Sequence, residues 1–96
     1  MKYKRNICLR PEVGKFLAGR LADHVVSICP SRLWLRLMPK ARLEKLHGEA
    51  WREAMIVRSL AYHLIGTPHA AFGVQQKSRA EDAARRVAFE IARRGN

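Results

Sequence analysis

The last predicted helix carries a phenylalanine among arginines, a combination with a recognisable chemistry. A helical wheel at about 100° per residue places Phe89 away from the apolar face of that helix, in the charged sector of Asp82, Arg85, Arg86 and Arg93. Arg79, Arg86 and Arg93 form one line along the same helix. An aromatic ring among guanidinium groups can stack on a nucleobase while the arginines bind phosphate oxygens. In one alternative, the arginine face is simply solvated and binds nothing. In another, residues 31–38 or a second subunit cover the Phe89 ring.

The first ten residues form a second basic cluster. They contain the cations Lys2, Lys4, Arg5 and Arg10, together with Asn6. Apolar and polar side chains alternate weakly over residues 3–9, which permits a short strand or an ordered basic arm. Such arms commonly run along a phosphate backbone, although a charged chain end without fixed structure has the same composition. We therefore assign residues 1–10 to a basic arm or short strand.

The whole chain is strongly cationic. Its 96 residues include 19 Lys and Arg against 8 Asp and Glu, a formal charge of +11, and thirteen of the cations are arginine. Such a charge repels itself unless a polyanion is near, and nucleic acid is the commonest polyanion in a cell. Arginine suits that partner because its donors bind two phosphate oxygens at once. Alternatively, the high arginine content reflects only the base composition of a GC-rich genome and says nothing about function.

Neither metal binding nor catalysis has a motif in this sequence. The candidate ligands are two cysteines and four histidines, and none shows the paired spacing of a zinc site; they are Cys8, Cys29, His24, His47, His63 and His69. No glycine-rich phosphate loop, nucleophile elbow or Cys–His arrangement is present. We therefore expect no metal, no cofactor and no enzymatic activity.

Hydrophobic periodicity predicts a mainly α domain of three to four helices that spans residues 1–96 as one unit. Pro11 suits the first turn of a helix. The apolar face predicted for that helix contains Val13, Leu17, Leu21, His24 and Ile28. Residues 31–38 fit either a strand or a short helix that Pro39 ends, and we favour the helix because no strand partner follows.

A long helix is predicted from Pro39 onward. Apolar residues recur at three- and four-residue steps as far as Leu64. The stretch 54–65 is apolar nearly all round, which predicts that it forms the central buried helix. Gly48 marks either the weakest point of this helix or a break in it.

The C-terminal helix has the strongest end signals. Ser78 with Glu81 forms a capping box, Asp82 adds negative charge to the first turn, and Gly95 follows the last periodic residue. Its apolar face is mostly alanine, which predicts a close approach to the buried central helix. Residues 66–77 are assigned to a loop before this helix.

Targeting signals are missing from the sequence. No apolar segment has the length of a membrane span, and no apolar stretch follows the basic start as a secretion signal would require. Two cysteines without such a signal are expected to stay reduced. We therefore expect a soluble protein of the cytoplasm.

The stretch from Lys4 to Ala22, KRNICLRPEVGKFLAGRLA, resembles the opening of ribbon-helix-helix DNA-binding proteins. In that family a short strand pairs with its twin across a dimer, and alternate strand side chains enter the major groove. A helix that begins near a proline follows. The resemblance implies a homodimer, with base-facing residues Lys4, Asn6 and Cys8 and dimer-core residues Ile7 and Leu9.

Together these observations predict a small, basic, non-catalytic nucleic-acid-binding protein, a DNA-binding regulator or accessory factor that acts through phosphate contacts. DNA is favoured over RNA as the partner. The predicted contact residues are Lys2, Lys4, Arg5, Asn6, Arg10, Arg79, Arg85, Arg86, Phe89 and Arg93.

Two alternative functions fit the same charge. One is a helical adaptor or inhibitor, of a phage- or plasmid-encoded type, that binds an acidic protein surface. Aromatic and arginine side chains dominate such interfaces, and the candidate anchors are Trp34, Trp51, Tyr62 and Phe89. The other alternative is a protein embedded in a ribosome or another RNP. Exposure of Trp34 and Phe89 beside each other would favour the adaptor.

Overall fold

Four helices make up most of residues 10–95, the portion of the chain that the computed structural model describes. They are α1 (Pro11–Ile28), α2 (Arg32–Leu37), α3 (Lys40–His63) and α4 (Ala70–Arg94). The three long helices pack pairwise as a bundle, and α2 packs against α4. No strand occurs within residues 10–95, so the prediction of a mainly α fold is confirmed. None of these four helices combines the length and the apolar composition that crossing a membrane requires.

The buried face of α1 is made of small residues rather than the large apolar side chains that the periodicity predicts. Its buried residues are Gly14, Ala18, Ala22 and Val25. Val13, Leu17 and His24 of the predicted face are exposed. Leu21 and Ile28 of the predicted face do pack against the core, so the buried face is rotated from the predicted one by about one residue, or about 100° about the helix axis. Small side chains occupy the true face because they let the axes of α3 and α4 come close.

Residues 31–38 contain the short helix that we favoured, which is confirmed. Ser31 is the N-cap of α2, and the helix ends at Leu37 with Met38 as an extended C-cap, because the residue before Pro39 is disfavoured in the α region. Leu35 is the one buried side chain of α2. The rest of this helix lies on the surface, where it is held by contacts with α4.

α3 runs through Gly48 without a break. Its buried stripe consists of Leu43, Leu46, Ala50, Ala54, Val57, Leu60 and Ala61. The prediction that residues 54–65 are buried all round is wrong, because Met55, Ile56 and Tyr62 are exposed. In a three-helix bundle α1 and α4 cover only one side of α3, so the opposite apolar side chains remain in contact with solvent.

The loop assigned to residues 66–77 is corrected to a shorter connection, since α4 begins at Ala70. Gly66 makes the turn with a positive φ of 87°, a conformation that costs other residues about 1–2 kcal/mol. Thr67 then donates its hydroxyl to the Leu64 carbonyl at 2.6 Å. The chain resumes a helix at Ala70, two residues after Pro68, where Ala70 and Ala71 open the first turn with the best helix-forming residue.

The apparent capping box of the sequence lies inside α4. Ser78 is a mid-helix residue, and Glu81 lies within ion-pair distance of Lys77 at 3.4 Å and Arg85 at 3.5 Å. Lys77 and Arg85 each lie one helical turn from Glu81, so they form ion pairs with its carboxylate along the same helix. The capping pattern therefore reflects an ion-paired surface, and the helix begins eight residues earlier.

Alanine dominates the contact between the long helices. The fully buried residues on α4 are Ala80, Ala83, Ala84 and Val87, and they meet Ala22, Ala50 and Ala54 in one core. Gly73 marks a tight approach to α3, since a Cβ added there would lie 3.0 Å from Leu64 Cδ1 and 3.2 Å from Ala61 Cα. The predicted close packing of α4 on the central helix is thus confirmed.

Candidate nucleic-acid interface

Phe89 lines a shallow depression on the outer face of α4. The residue is 65% exposed, which confirms that it points away from the apolar stripe of its helix. The depression has a volume of about 340 Å³ and is lined by Phe89, Arg32, Asp82, Arg85 and Arg86. Residues 31–38, which we considered as a cover for the ring, leave it accessible and contribute Arg32 to its surroundings.

Arg85 is balanced by carboxylates of its own helix. Its Nη1 donates to Asp82 Oδ1 at 3.0 Å, and its Nη2 lies 3.5 Å from Glu81 Oε1. Arg85 and Asp82 are both exposed, and exposed ion pairs contribute little free energy. The Arg85 guanidinium can therefore exchange Asp82 for a phosphate oxygen at small cost.

Within residues 10–95, Arg86 and Arg32 are the cations of the depression that no carboxylate balances. Arg86 Nη2 donates to the Cys29 carbonyl at 3.3 Å, and its buried Nε has no hydrogen-bond partner among the described residues. Arg32 is exposed and makes no ion pair within residues 10–95. The depression thus presents two uncompensated guanidinium groups beside an accessible aromatic ring.

Arg94 positions α2, and therefore Arg32, against α4. Its Nη1 donates to the Met38 carbonyl at 2.6 Å, and its Nη2 donates to the carbonyls of Leu35 at 2.6 Å and Arg36 at 2.7 Å. The last carbonyls of a helix have no partner within the helix and carry its negative dipole end. One guanidinium therefore satisfies the C-terminal end of α2 and fixes it in place.

The Glu90 carboxylate holds the Arg94 guanidinium that binds α2. It is buried and accepts from Arg94 Nε at 2.8 Å and from Arg93 Nη2 at 2.7 Å. These bonds, chiefly those of Arg93 and then Arg94, lower the pKa of the Glu90 carboxyl to about 2. The charge of Arg93, one of our predicted contact residues, is thus partly engaged within the protein.

Arg79, another predicted contact residue, joins two helices. Its Nη2 donates to Asp23 Oδ1 of α1 at 2.9 Å, and its Nη1 donates to Gln76 Oε1. Neither Arg79 nor Arg93 lines the depression of Phe89. The structure therefore brings Arg85, Arg86 and Phe89 together and leaves the other two α4 arginines outside that group.

A further set of cations, left out of the predicted site, occupies α2 and the first turns of α3. These residues are exposed and make no ion pair within the described portion of the chain; they are Arg36, Lys40, Arg42 and Lys45. The available signal was the four-residue spacing of Arg32, Arg36 and Lys40, which the proline at position 39 obscured. They extend the positive surface from α4 across α2.

Most of the predicted N-terminal arm lies outside the described residues, including Lys2, Lys4, Arg5 and Asn6. Arg10 is described: it is exposed and has an extended backbone as the N-cap of α1. Its contact with phosphate, like that of the preceding residues, stays a prediction.

The four aromatic side chains considered as protein anchors lie in different surroundings. Trp34 is 64% exposed, but it is not among the residues that line the Phe89 depression. Trp51 packs against the core and makes an edge contact with His47 at a centroid distance of 6.2 Å. Tyr62 is exposed and accepts a hydrogen bond from Arg58. Trp34 and Phe89 are thus both exposed, in separate depressions.

The four histidines and Cys29, which lie in the described part of the chain, do not assemble into a ligand set. No group of three His, Cys, Asp or Glu within the described residues could hold a metal ion. His24 Nδ1 pairs with Glu53 Oε1, and burial raises the pKa of the Cys29 thiol. A buried thiol of raised pKa is a poor nucleophile, so Cys29 belongs to the core.

Comparison with known proteins finds no family model, no curated protein and no solved structure that matches this chain. The resemblance of residues 4–22 to ribbon-helix-helix proteins stays a prediction. The chemistry of the Phe89 depression is therefore the main guide to function.

Proposed function

We propose that this protein binds nucleic acid, with DNA favoured over RNA, and that it acts by binding rather than by catalysis. The observation that carries the proposal is the accessible Phe89 ring in a depression where Arg32 and Arg86 have no carboxylate partner among the described residues. An exposed aromatic ring next to unbalanced guanidinium groups offers one surface to a base and another to phosphate oxygens.

Each residue of the proposed contact has its own role in binding. Phe89 stacks on one base, Arg32 and Arg86 bind the flanking phosphates, and Arg85 joins them when it releases Asp82. A ring can stack only on a base whose face is free, so single-stranded segments fit the depression better than the interior of a duplex. The N-terminal cations, together with Arg36 of α2 and Lys40 at the start of α3, add phosphate contacts without sequence preference.

The test measures fluorescence anisotropy of labelled oligonucleotides of about 30 nucleotides, as duplex DNA, single-stranded DNA and structured RNA, at about 50 and 200 mM salt. We expect the logarithm of the affinity to fall linearly with the logarithm of the salt concentration. Single-stranded DNA should bind tightest. Affinity that does not depend on salt, or no binding at the lower salt, would refute the proposal.

Phe89→Ala should weaken binding of single-stranded DNA by about 1–3 kcal/mol, the contribution of one base stacked on an aromatic side chain. The salt dependence should stay unchanged, because no cation is lost. Phe16→Ala is the matched control: Phe16 is also exposed, and the Arg20 guanidinium lies 5.6 Å from its ring centroid on α1. Equal losses in both variants would show that Phe89 has no special role.

A further inference from the structure

A second concave surface runs between the end of α1, α2 and the start of α3. Its larger section has a volume of about 820 Å³, and its smaller section has a volume of about 320 Å³. Both sections are lined by Pro30, Met38 and Arg42, so they form one continuous groove. We call it the α2–α3 groove. None of its lining residues borders the Phe89 depression.

The floor of the α2–α3 groove is mostly aliphatic. Ile28, Met38 and Leu46 line its larger section, and Trp34 and Leu37 line its smaller section. Trp34 is 64% and Leu37 69% exposed, although both belong to a helix that Arg94 holds in position. Large apolar side chains left open beside one another are typical of interaction surfaces.

The rim of the groove is positive. Arg42 and Lys45 line it without an ion pair in the described portion of the chain, against Glu49 as the acidic lining residue. Arg36 and Lys40 flank them in sequence and are also exposed and unpaired within residues 10–95. A partner that fits this groove therefore combines apolar anchors with negative charge.

Charge and shape decide between the occupants. A second copy of this chain carries a charge of +11 and would be repelled by a basic rim, and the stretch 1–9 is itself basic. Nucleic acid supplies negative charge and can stack a base on Trp34 beside Arg42. It has no aliphatic group to pack on Ile28, Met38 and Leu46, which line the larger section. A helix with aliphatic residues on one face and carboxylates beside them matches both properties of the groove.

We propose that the α2–α3 groove binds an acidic amphipathic helix of another protein. The aliphatic residues of that helix, spaced three and four apart, enter the groove over Met38 and Leu37, and its carboxylates meet Arg42 and Lys45. This site goes beyond nucleic-acid binding, because it leaves the Phe89 depression free for a second ligand.

The probe is a labelled peptide of about 18 residues, with leucines at i, i+3, i+4 and i+7 and glutamates on the other faces. Two control peptides are used. The first has the same composition in scrambled order, and the second has lysine in place of every glutamate. Anisotropy titration with the full chain should give binding of the amphipathic peptide at least about tenfold tighter than of either control. Equal affinity for the scrambled peptide would reduce the interaction to charge and overturn the proposal, as would no binding.

The decisive variants are Leu37→Asp and Leu33→Asp. Both residues lie on α2 and are similarly exposed, at 69% and 67%, and only Leu37 lines the groove. Leu37→Asp should weaken peptide binding about 30-fold, as loss of a central anchor does, and Leu33→Asp less than about threefold. Circular dichroism checks that both variants keep their helical content.

Single-stranded DNA provides the second comparison. If the groove serves a peptide, the two aspartate variants should weaken DNA binding to the same small extent, because each adds one negative charge to α2. A selective loss of DNA binding in Leu37→Asp would place the groove within the nucleic-acid surface and overturn the proposal. Peptide binding is measured without nucleic acid, so its failure leaves the proposal for the Phe89 depression standing.

Discussion

At the scale of single residues, whether an arginine is available to bind phosphate depends less on its position in a helix than on the charges around it. Arg93 lies in the predicted sector of α4, but it binds Glu90 within the protein. Arg32 was not among the predicted contacts, yet it lines the Phe89 depression without an ion pair in residues 10–95. The available positive charge therefore belongs partly to α2 rather than wholly to α4.

Arg32→Ala tests this reassignment. The slope of log affinity against log salt for single-stranded DNA should decrease in magnitude by about 0.7, the value for one phosphate contact. Arg52→Ala is the matched control, because Arg52 is an exposed arginine of α3 that makes no ion pair with the described residues and does not line the depression. Salt titrations of both variants provide the measurement, and an equal change of slope would exclude a specific contact at Arg32.

At the scale of helices, the attachment of α2 depends on one buried carboxylate. Glu90 receives hydrogen bonds from both Arg93 and Arg94, and Arg94 in turn holds the last carbonyls of α2. Because these bonds favour the ionised carboxylate, they lower its pKa and connect the folding of this region to pH.

Acidification should remove the contribution of Glu90 to stability. Its pKa of about 2 in the folded protein lies below the ordinary value of 4.5, so the stabilisation is complete above pH 4.5 and is lost as the pH falls toward 2. The melting temperature of the wild type should exceed that of Glu90→Gln at pH 7, and the difference should shrink through this window. Glu44→Gln, at an exposed glutamate without an ion pair in the described part of the chain, should show no such convergence.

Two glycines should respond to alanine in opposite directions. At Gly73 an added Cβ would lie 3.2 Å from the Ala61 backbone, so Gly73→Ala should push α4 from α3 and destabilise the fold by about 1–3 kcal/mol. At Gly48 an added Cβ meets no atom within 4 Å. Gly48→Ala should therefore stabilise the helix by about 0.5–1 kcal/mol. Urea unfolding measures both, and a loss of stability at Gly48 would contradict this account of α3.

At the scale of the whole molecule, local sequence signals predict where the helices lie but not which residues of other helices they contact. Gly66 and Pro68 mark the end of α3 because turn chemistry acts within a few residues. Phe89 was predicted to point away from the apolar face because its direction depends only on the period of α4, whereas its exposure could not be predicted because it depends on where α2 packs. The start of α4 was misplaced because Ser78 and Glu81 imitate a cap in an otherwise continuous helix.

Contacts between distant residues could not be predicted in the same way. The carbonyls that Arg94 binds lie 56 to 59 residues earlier in the chain. The face of α1 was misjudged because Gly14 and Ala18 gain their role only when another helix lies against them. The homodimer and the cytoplasmic location stay predictions, because no feature of residues 10–95 bears on them directly.

The alanine-rich core has a consequence for how this protein tolerates mutation over evolutionary time. At Ala54, Ala80 or Ala84 every substitution except glycine adds atoms to a space that neighbouring helices already fill. Most random changes there cause overpacking, whereas truncation of a large core leucine leaves a cavity. Sequences that retain this fold should therefore drift at the leucine and valine positions, where volume can be exchanged between neighbours, and remain nearly invariant at the alanines.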